Sequence, residues 1–187
     1  GENLFTLSEE FHTLVKQEDN KEQTISLSGK KFKILYKPEE KLLYFFDITE
    51  QTELETLYYA DRSVIAVLFI DNYDELAQGM EDQTRSQLNS MVTSLVNNWG
   101  AGYGIYVKRI SSDRFIAVLN ESILLELEKT KFAILDEIRE TTSKLNLSLT
   151  LSIGVGAGSS SLVELGQLAQ SSLDLVLGRG GDQVAIK

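Results

Sequence analysis

The sequence predicts an α/β sandwich with a mixed central sheet, preceded by a short β-rich segment. Strand and helix patterns alternate over residues 62–187, which is typical of helices packed on a sheet. Two of these predicted strands, 102–109 and 114–120, follow each other across a polar turn and therefore predict a hairpin inside the sheet. Residues 20–48 contain three short strand patterns, two of which alternate apolar and polar residues, and together they predict the separate β segment.

Composition and charge narrow the range of partners. The formal net charge of −10 argues against a nucleic-acid backbone, because that affinity comes mainly from neutralising phosphates. A small nucleotide needs only a local cluster of cations and remains open. The apolar runs are strand-sized, well short of the roughly 20 residues that span a bilayer, so we expect no membrane insertion of this chain. The chain has no cysteine, which excludes disulfides and thiolate metal sites and fits a cytoplasmic location.

The first part of the chain is predicted to form three strands after one short helix. The helix pattern covers residues 8–16, and the strands cover 24–28, 32–36 and 42–46. The single proline begins the turn at residues 38–41. Three strands and one helix are too few for an independent sheet domain, so we expect that the chain begins inside a domain.

A short helix over residues 50–60 follows the tripeptide Asp47-Ile48-Thr49. Either Asp47 or Thr49 can cap this helix by offering a side-chain oxygen to its free backbone amides. One face of the helix carries apolar residues at helical spacing: Leu54, Leu57 and Tyr58. We interpret this helix as a linker between two modules and as a dimer contact.

The remaining residues predict eight elements. In chain order these are a strand at 63–70, a helix at 81–98, strands at 102–109 and 114–120, a helix at 122–144, a strand at 147–155, a helix at 162–177 and a strand at 183–187. Apolar stripes on the first two helices indicate faces buried in the core. Trp99 ends the first of them and is predicted to be a packing anchor.

Four segments, taken in chain order, resemble the GGDEF domain of diguanylate cyclases. They are Leu68–Tyr73, Lys108–Leu119, Ser152–Gly156 and Leu173–Val184. The second segment contains Ser-Ser-Asp-Arg-Phe in place of the signature Gly-Gly-Asp-Glu-Phe. The resemblance implies a GGDEF-like sandwich, the palm-like fold of nucleotidyl cyclases.

The same resemblance implies that the cyclase metal site is missing. Diguanylate cyclases use two divalent cations, and the protein supplies carboxylates from the first strand and from the hairpin turn. Phe69 stands at the first of these positions and Arg114 at the glutamate position, where its guanidinium keeps its charge. Ser111 and Ser112 replace the two glycines that let substrate approach the backbone, and Asp74 replaces a lysine. We therefore expect no diguanylate cyclase activity and assign no catalytic residue and no metal ligand.

A nucleotide site is the alternative use of this region. The candidate nucleotide-binding residues are Arg109, Ser111, Ser112, Asp113, Arg114 and Asp71, with Lys108 adding charge. An exposed hairpin with solvated charges explains the same residues equally well. Asp71 and Asp113 could form a reduced metal site, but we favour the interpretation that Asp71 caps the following loop and Asp113 stabilises the turn.

The tail gives a more specific resemblance. Residues 172–187, residues 70–75 and the Ser-Ser-Asp-Arg-Phe core are similar to the membrane-anchored cyclic-di-AMP phosphodiesterases of Firmicutes, the GdpP/YybT type. That family orders two transmembrane helices, a PAS domain, a degenerate GGDEF domain and a catalytic DHH/DHHA1 domain. The resemblance implies the end of a PAS domain at 1–49, a linker helix at 50–61 and a degenerate GGDEF domain at 62–187.

Two further features have structural interpretations. Gly178 is predicted to end the last helix in a left-handed conformation, and Gly180-Gly181-Asp182 to turn into the last strand. This segment follows a helix and opens a strand, the reverse of a phosphate-binding loop. PAS domains of the family are associated with haem, but His12 is expected to be a solvent-facing histidine.

The resemblance implies a regulatory module on the cytoplasmic side of a membrane-anchored phosphodiesterase. Its partners would be the DHH/DHHA1 domain of the same chain and a second copy in a homodimer. The chain itself would need no cofactor. The alternative is a nucleotide-binding domain that takes ATP with Mg²⁺ and hydrolyses it weakly.

Overall fold

The computed structural model describes residues 22–40 and 42–187, which divide into two compact units between residues 58 and 59. Each unit is described by itself. The helix predicted at residues 8–16, and His12 within it, lie outside the described residues, as does Lys41 in the predicted turn.

The first unit contains the three predicted strands, which are confirmed. They form an antiparallel sheet in the order β1-β2-β3, with β1 at Gln23–Leu27, β2 at Lys30–Lys37 and β3 at Leu42–Asp47. Ser28 and Gly29 join β1 to β2 with positive φ angles of 51° and 79°, as a tight hairpin of two residues requires. Ile25 and Ile34 are buried at the centre of the sheet.

The tripeptide Asp47-Ile48-Thr49 joins the end of β3 to the start of helix α1, Thr49–Ala60. The Oδ1 atom of Asp47 accepts hydrogen bonds from the Thr49 hydroxyl at 2.6 Å and the Thr49 amide at 3.1 Å, so the predicted capping role is confirmed. The bonds from Thr49, followed by that from Lys30, lower the pKa of Asp47 to about 2. The Lys31 amide donates to the Thr49 hydroxyl at 3.0 Å and ties β2 to the same point.

Helix α1 buries none of its side chains. Its apolar residues Leu54, Leu57 and Tyr58 are 60%, 62% and 65% exposed. Three glutamates and no basic residue accompany them along the helix. The helix therefore presents an apolar stripe on an acidic surface.

The second unit is built on a five-stranded sheet in the order β5-β6-β4-β7-β8. Its elements in chain order are β4 (Ser63–Asp71), α2 (Tyr73–Gln78), α3 (Asp82–Tyr103), β5 (Tyr106–Arg109), β6 (Arg114–Asn120), α4 (Glu121–Lys129), α5 (Ile134–Ser143), β7 (Thr150–Gly156), α6 (Leu162–Gly178) and β8 (Val184–Ile186). Only the β7–β8 pair is parallel among these strands, so the predicted mixed sheet is confirmed.

Several predicted boundaries are wrong. Helix α3 runs to Tyr103 and ends at Gly104 with a φ of 71°, so the next strand starts at residue 106 and not at 102. Trp99 therefore lies inside the helix, where its side chain packs in the core. Strand β7 begins at residue 150 rather than 147, and the short helix α2 was not predicted.

The helix predicted over residues 122–144 is two helices, α4 and α5. The chain breaks between them because Lys131 and Phe132 both adopt φ angles of 52°. Phe132 gains a buried position in the main core from this conformation, and its amide donates to the Leu127 carbonyl at 2.8 Å. Burial of one aromatic side chain and a satisfied amide therefore compensate for backbone angles that L-residues rarely adopt.

The two faces of the sheet bury different cores. The main core lies under α3, α4 and α5 and includes Leu68 and Ile70 of β4. The opposite face, with Ile65 and Val67, packs against α6. Side chains alternate along a strand, so residues 65, 67, 69 and 71 all belong to the α6 face.

Candidate functional site

The hairpin turn at residues 110–113 lies beside the end of β4. The Ile110 and Ser111 amides both donate to the Arg114 carbonyl, at 2.9 and 3.3 Å, and close the turn. The Ile70 amide donates to the Asp113 carbonyl at 2.7 Å. Asp113 also accepts a bond from the Ser111 hydroxyl at 2.6 Å, as expected for a carboxylate that stabilises a turn.

Arg109 anchors this turn to helix α3. Its side chain makes five hydrogen bonds, which use the full donor capacity of a guanidinium. The acceptors are the carbonyls of Ser111, Ser112 and Asn89, the Asn89 Oδ1 atom and the Thr93 hydroxyl. The guanidinium carbon also lies 5.2 Å from the centre of the Phe115 ring. Arg109 is thus engaged by the fold itself, with no donor left over for a phosphate.

The three cations of the predicted cluster do not share one face of the sheet. Lys108 pairs with Ile116 in the hairpin ladder, and Arg109 pairs with Phe115 in the main core. Because successive strand residues point to opposite faces, Lys108 and Arg114 belong to the α6 face and Arg109 to the α3 face. These residues are close in sequence, but their side chains do not meet at one site.

Phe69 and Arg114 lie directly opposite each other in the β4–β6 pair. The guanidinium carbon of Arg114 lies 5.7 Å from the centre of the Phe69 ring, within the range of a cation–π contact. Arg114 also donates to the Gln170 Oε1 atom of α6 at 3.3 Å. The two positions at which cyclases would carry metal carboxylates thus hold an aromatic ring and a cation in contact with each other.

Asp71 is buried at the end of β4, and its carboxylate is engaged by the last part of the chain. Its Oδ2 atom accepts from the Thr150 hydroxyl at 2.8 Å and from the Asp182 amide at 3.1 Å. The Ser152 hydroxyl donates to the same carboxylate at 2.8 and 2.9 Å. These contacts replace the predicted role of Asp71, since no side-chain bond from Asp71 caps the following loop among the hydrogen bonds of the described residues.

The turn before β8 fits closely around this carboxylate. A Cβ atom on Gly181, whose φ is 78°, would lie 3.0 Å from the Asp71 Oδ2 atom, so glycine is required there. Asp182 forms a two-pronged ion pair with the Nη2 atom of Arg139 at 2.9 and 2.8 Å, which raises the pKa of Arg139. The predicted turn is confirmed, but Gly178 is helical and Gly180, with a φ of 103°, takes the left-handed conformation instead.

A cavity of about 340 Å³ lies against helices α2 and α3 and the hairpin turn. It is lined by Tyr73, Asp74, Ala77, Gln78, Arg85, Asn89 and Ser112. Of the predicted nucleotide-binding residues, only Ser112 lines it. The Tyr73 hydroxyl donates to the Asn89 Oδ1 atom at 2.6 Å. The same oxygen accepts a hydrogen bond from Arg109, so Asn89 links the wall of the cavity to that arginine.

Within the described part of the chain, no three His, Cys, Asp or Glu residues come together as a metal site. Asp71 is surrounded by hydroxyl and amide donors, and Arg114 brings a positive charge to the turn. These residues do not fit the two-cation site of a cyclase.

Comparison with protein families identifies the chain. A model of the "Cyclic-di-AMP phosphodiesterase GdpP-like, GGDEF domain" matches residues 68–187, well over half of the sequence. The chain belongs to the GdpP-like family. A second model, the PAS domain of the same family, matches residues 1–48.

Relatives within the GdpP-like family match the chain from end to end. It is 60% identical to the cyclic-di-AMP phosphodiesterase GdpP of Geobacillus thermodenitrificans and 60% identical to that of Bacillus subtilis, over 187 residues in both cases. It is 51% identical over 188 aligned residues to the cyclic-di-AMP phosphodiesterase PdeA of Listeria monocytogenes. The chain spans 28% of the length of the first two relatives and 29% of the third.

Solved structures confirm the GGDEF-like fold. The GGDEF domain of DgcB from Caulobacter crescentus superposes with a TM-score of 0.55 and 19% identity, over 73% of this chain and 81% of that one. A diguanylate cyclase/phosphodiesterase from Caldicellulosiruptor saccharolyticus gives a TM-score of 0.56 and 14% identity, over 73% and 83% of the two chains. In the described residues, every helix is too short or too polar to cross a bilayer.

Sequence reasoning missed several residues that shape this region: Asn89, Thr93, Arg139, Thr150 and Ser152. A signal for two of them was present. Thr150 and Ser152 alternate with apolar residues in a predicted strand, which places two hydroxyls on one face of the sheet. Their partner, Asp71, lies about 80 positions away, so no local pattern pairs it with them.

Proposed function

We propose that this chain is the regulatory part of a cyclic-di-AMP phosphodiesterase and that its GGDEF-like domain makes no cyclic-di-GMP. The observation that supports the second statement is the Phe69–Arg114 contact, which fills the place of the metal carboxylates with a ring and a cation. A divalent cation would meet a guanidinium there and no carboxylate from either residue. A preserved sheet around such a site favours a role in signalling over a role in catalysis.

In this proposal the chain is one part of a longer protein. Relatives that carry the phosphodiesterase name are more than three times as long as this chain, so the hydrolytic residues would belong to another part of the parent protein. We place that parent at the cell membrane, with this chain on the cytoplasmic side, as the family resemblance implies. The described residues 22–40 and 42–58 include no histidine, cysteine or methionine, so none of these three common ligands of haem iron is available among them.

Helix α1 is proposed as the element that transmits the signal and contacts a second copy. Its exposed leucines have no structural task within the described residues, because none of the α1 side chains is buried. An exposed apolar stripe on a helix between two units is suited to reversible contacts.

The test is cyclic-di-AMP hydrolysis by the full-length protein with Leu54→Asp and Leu57→Asp combined. Since both side chains are more than half exposed, the fold should tolerate the change, and we expect the hydrolysis rate to change several-fold. Light scattering on the same samples would report any loss of the dimer.

Thr56→Asp in the same helix is the matched control, because it adds a negative charge at an exposed position on the face of α1 opposite the apolar stripe. Its hydrolysis rate should equal that of the unmodified protein. An unchanged rate in the double leucine variant would contradict a transmitting role for α1.

A second candidate function is nucleotide binding with weak ATP hydrolysis. The cavity against α2 and α3 favours it, because Ser112 and the charged residues Asp74 and Arg85 surround a volume suited to a small ligand. The contacts of Arg109 count against a direct role for that residue in phosphate binding. Arg114 lies on the α6 face, so it would not approach a ligand in the cavity on the other side of the sheet.

Calorimetric titration of the chain with ATP and with GTP, each with and without Mg²⁺, tests this candidate. Saturable binding that is weakened by Arg85→Gln would place the nucleotide in the cavity. If turnover accompanies binding and uses the hairpin carboxylate, Asp113→Asn should abolish it. Absence of binding by a folded sample would remove the candidate and leave the signalling role.

A further inference from the structure

Asp71 is a buried carboxylate whose contacts reach from the end of β4 to the last strand of the sheet. Neither proposed function uses it. We infer that Asp71 couples the conformation of residues 69–73 to the position of β8. The contacts that do so are those of its carboxylate with Thr150, Ser152 and the Asp182 amide, and we call this set of contacts the latch. This inference goes beyond the proposed function and holds whether or not the chain regulates an enzyme.

Strand β8 is short, and the latch is one of the attachments of the turn that leads into it, beside the Arg139–Asp182 ion pair. The strand comprises three residues at the edge of the sheet and pairs with β7 alone among the described strands. The turn that leads into it has three successive positive φ angles, 103° at Gly180, 78° at Gly181 and 55° at Asp182. The third of these belongs to a non-glycine residue, and its amide is satisfied by the Asp71 carboxylate and the Ser152 hydroxyl at 3.1 and 3.0 Å.

Residues 69–73, on the other side of the latch, contact the hairpin turn, helix α3 and the neighbouring strands. Phe69 lies under Arg114, the Ile70 amide bonds to the hairpin turn, and Tyr73 bonds to Asn89 beside the cavity. Asn72, which precedes α2, has a φ of 57° and makes no side-chain cap. The backbone between Asp71 and Tyr73 is therefore set by contacts at its two ends, so a shift of α2 changes the geometry at the Asp71 carboxylate.

An ordinary structural carboxylate would stabilise the whole unit without linking two of its parts. The fit at Gly181 favours the link, because a side chain there would press on Asp71 at 3.0 to 3.1 Å. The two explanations predict different responses. If the role is only structural, loss of a contact lowers the protection of amides from hydrogen exchange uniformly across the unit. If the latch exists, a change at α2 alters exchange in β8, and a change at β8 alters exchange in α2.

Amide hydrogen exchange of the chain, measured by NMR, separates these responses. In Asp71→Asn we expect exchange at the Asp182 and Lys187 amides to accelerate by about tenfold or more, the scale of a lost charge-assisted bond. In the reverse direction, Gly181→Ala should accelerate exchange at the Leu76 amide, which bonds to the Asn72 carbonyl at the start of α2. The Val118 amide in β6 serves as the reference for global opening and should not change.

Asp61→Asn is the matched control, since Asp61 is exposed near the opposite end of β4. Where Asp71→Asn does not fold, Ser152→Ala reads out the same coupling while it retains the carboxylate and Thr150. Local and reciprocal acceleration supports the latch. A uniform change across β6, α2 and β8, or a change at β8 with none at α2, overturns it. Neither readout involves a nucleotide or a phosphodiesterase assay, so failure of this inference is distinct from failure of the proposed function.

Discussion

Replacing Gly154 with alanine is expected to destabilise the second unit by about 3 kcal/mol or more. A Cβ atom at this position of β7 would lie 2.2 Å from the Ala169 carbonyl oxygen and 2.3 Å from the Leu173 amide nitrogen, both in the backbone of α6. Backbone atoms in the middle of a helix cannot move aside singly, so α6 would have to lift from the sheet. Chemical denaturation followed by fluorescence of Trp99, the only tryptophan, measures the loss.

Gly166→Ala is the control for this prediction. Gly166 lies in α6, and a Cβ atom there would meet nothing within 4 Å. Because alanine favours a helix over glycine, this variant should be neutral or more stable by about 0.5–1 kcal/mol. Similar free energies of unfolding for the two variants would contradict the close packing of α6 on β7.

The double variant Phe69→Asp, Arg114→Glu is expected to acquire a divalent-cation site at the β4–β6 pair. Residues opposite each other in an antiparallel pair have Cβ atoms about 4.5–5.5 Å apart, which lets two carboxylates bind one cation. We expect saturable Mn²⁺ binding with a dissociation constant of about 1 mM or below, measured by calorimetry. Bound Mn²⁺ should also raise the melting temperature of this variant.

The neutral pair Phe69→Asn, Arg114→Gln is the matched control and should bind no Mn²⁺. The unmodified chain, incubated with GTP and Mn²⁺, should form no cyclic-di-GMP, because the cyclase carboxylates are absent. Formation of that product by the unmodified chain would refute the proposal that the domain is not a cyclase. Failure of the double variant to bind Mn²⁺ would show that the loss of the site extends beyond these two residues.

Most strands were predicted from the sequence near their observed positions, whereas the turns and breaks between elements were not predicted. Strand β6 was predicted at its observed bounds, because a short apolar run stands between a polar turn and Asn120. The break between α4 and α5 was missed, since Lys131 and Phe132 adopt left-handed angles that neither residue type favours. That conformation follows from burial of Phe132, which is a tertiary effect.

The candidate site was predicted in part, for a related reason. The contact between Phe69 and Arg114 follows from strand pairing, and the family resemblance pointed to both residues. Arg109 was grouped with Arg114 because the two are close in sequence, yet the register of the hairpin places them on opposite faces of the sheet. The partners of Asp71 are 79 to 111 positions away along the chain, and one sequence does not reveal such pairings.

Helix α1 has a consequence for the sensitivity of any signal that passes through it. A helix of twelve residues is marginal in water, and α1 buries no side chain that would add stability from packing. Its helical form therefore depends mainly on the hydrogen bonds at its start and on any partner that contacts its side chains, and about 1.4 kcal/mol changes such an equilibrium tenfold. The burial of one apolar side chain against a partner is then enough to decide whether the segment is a helix or a flexible linker.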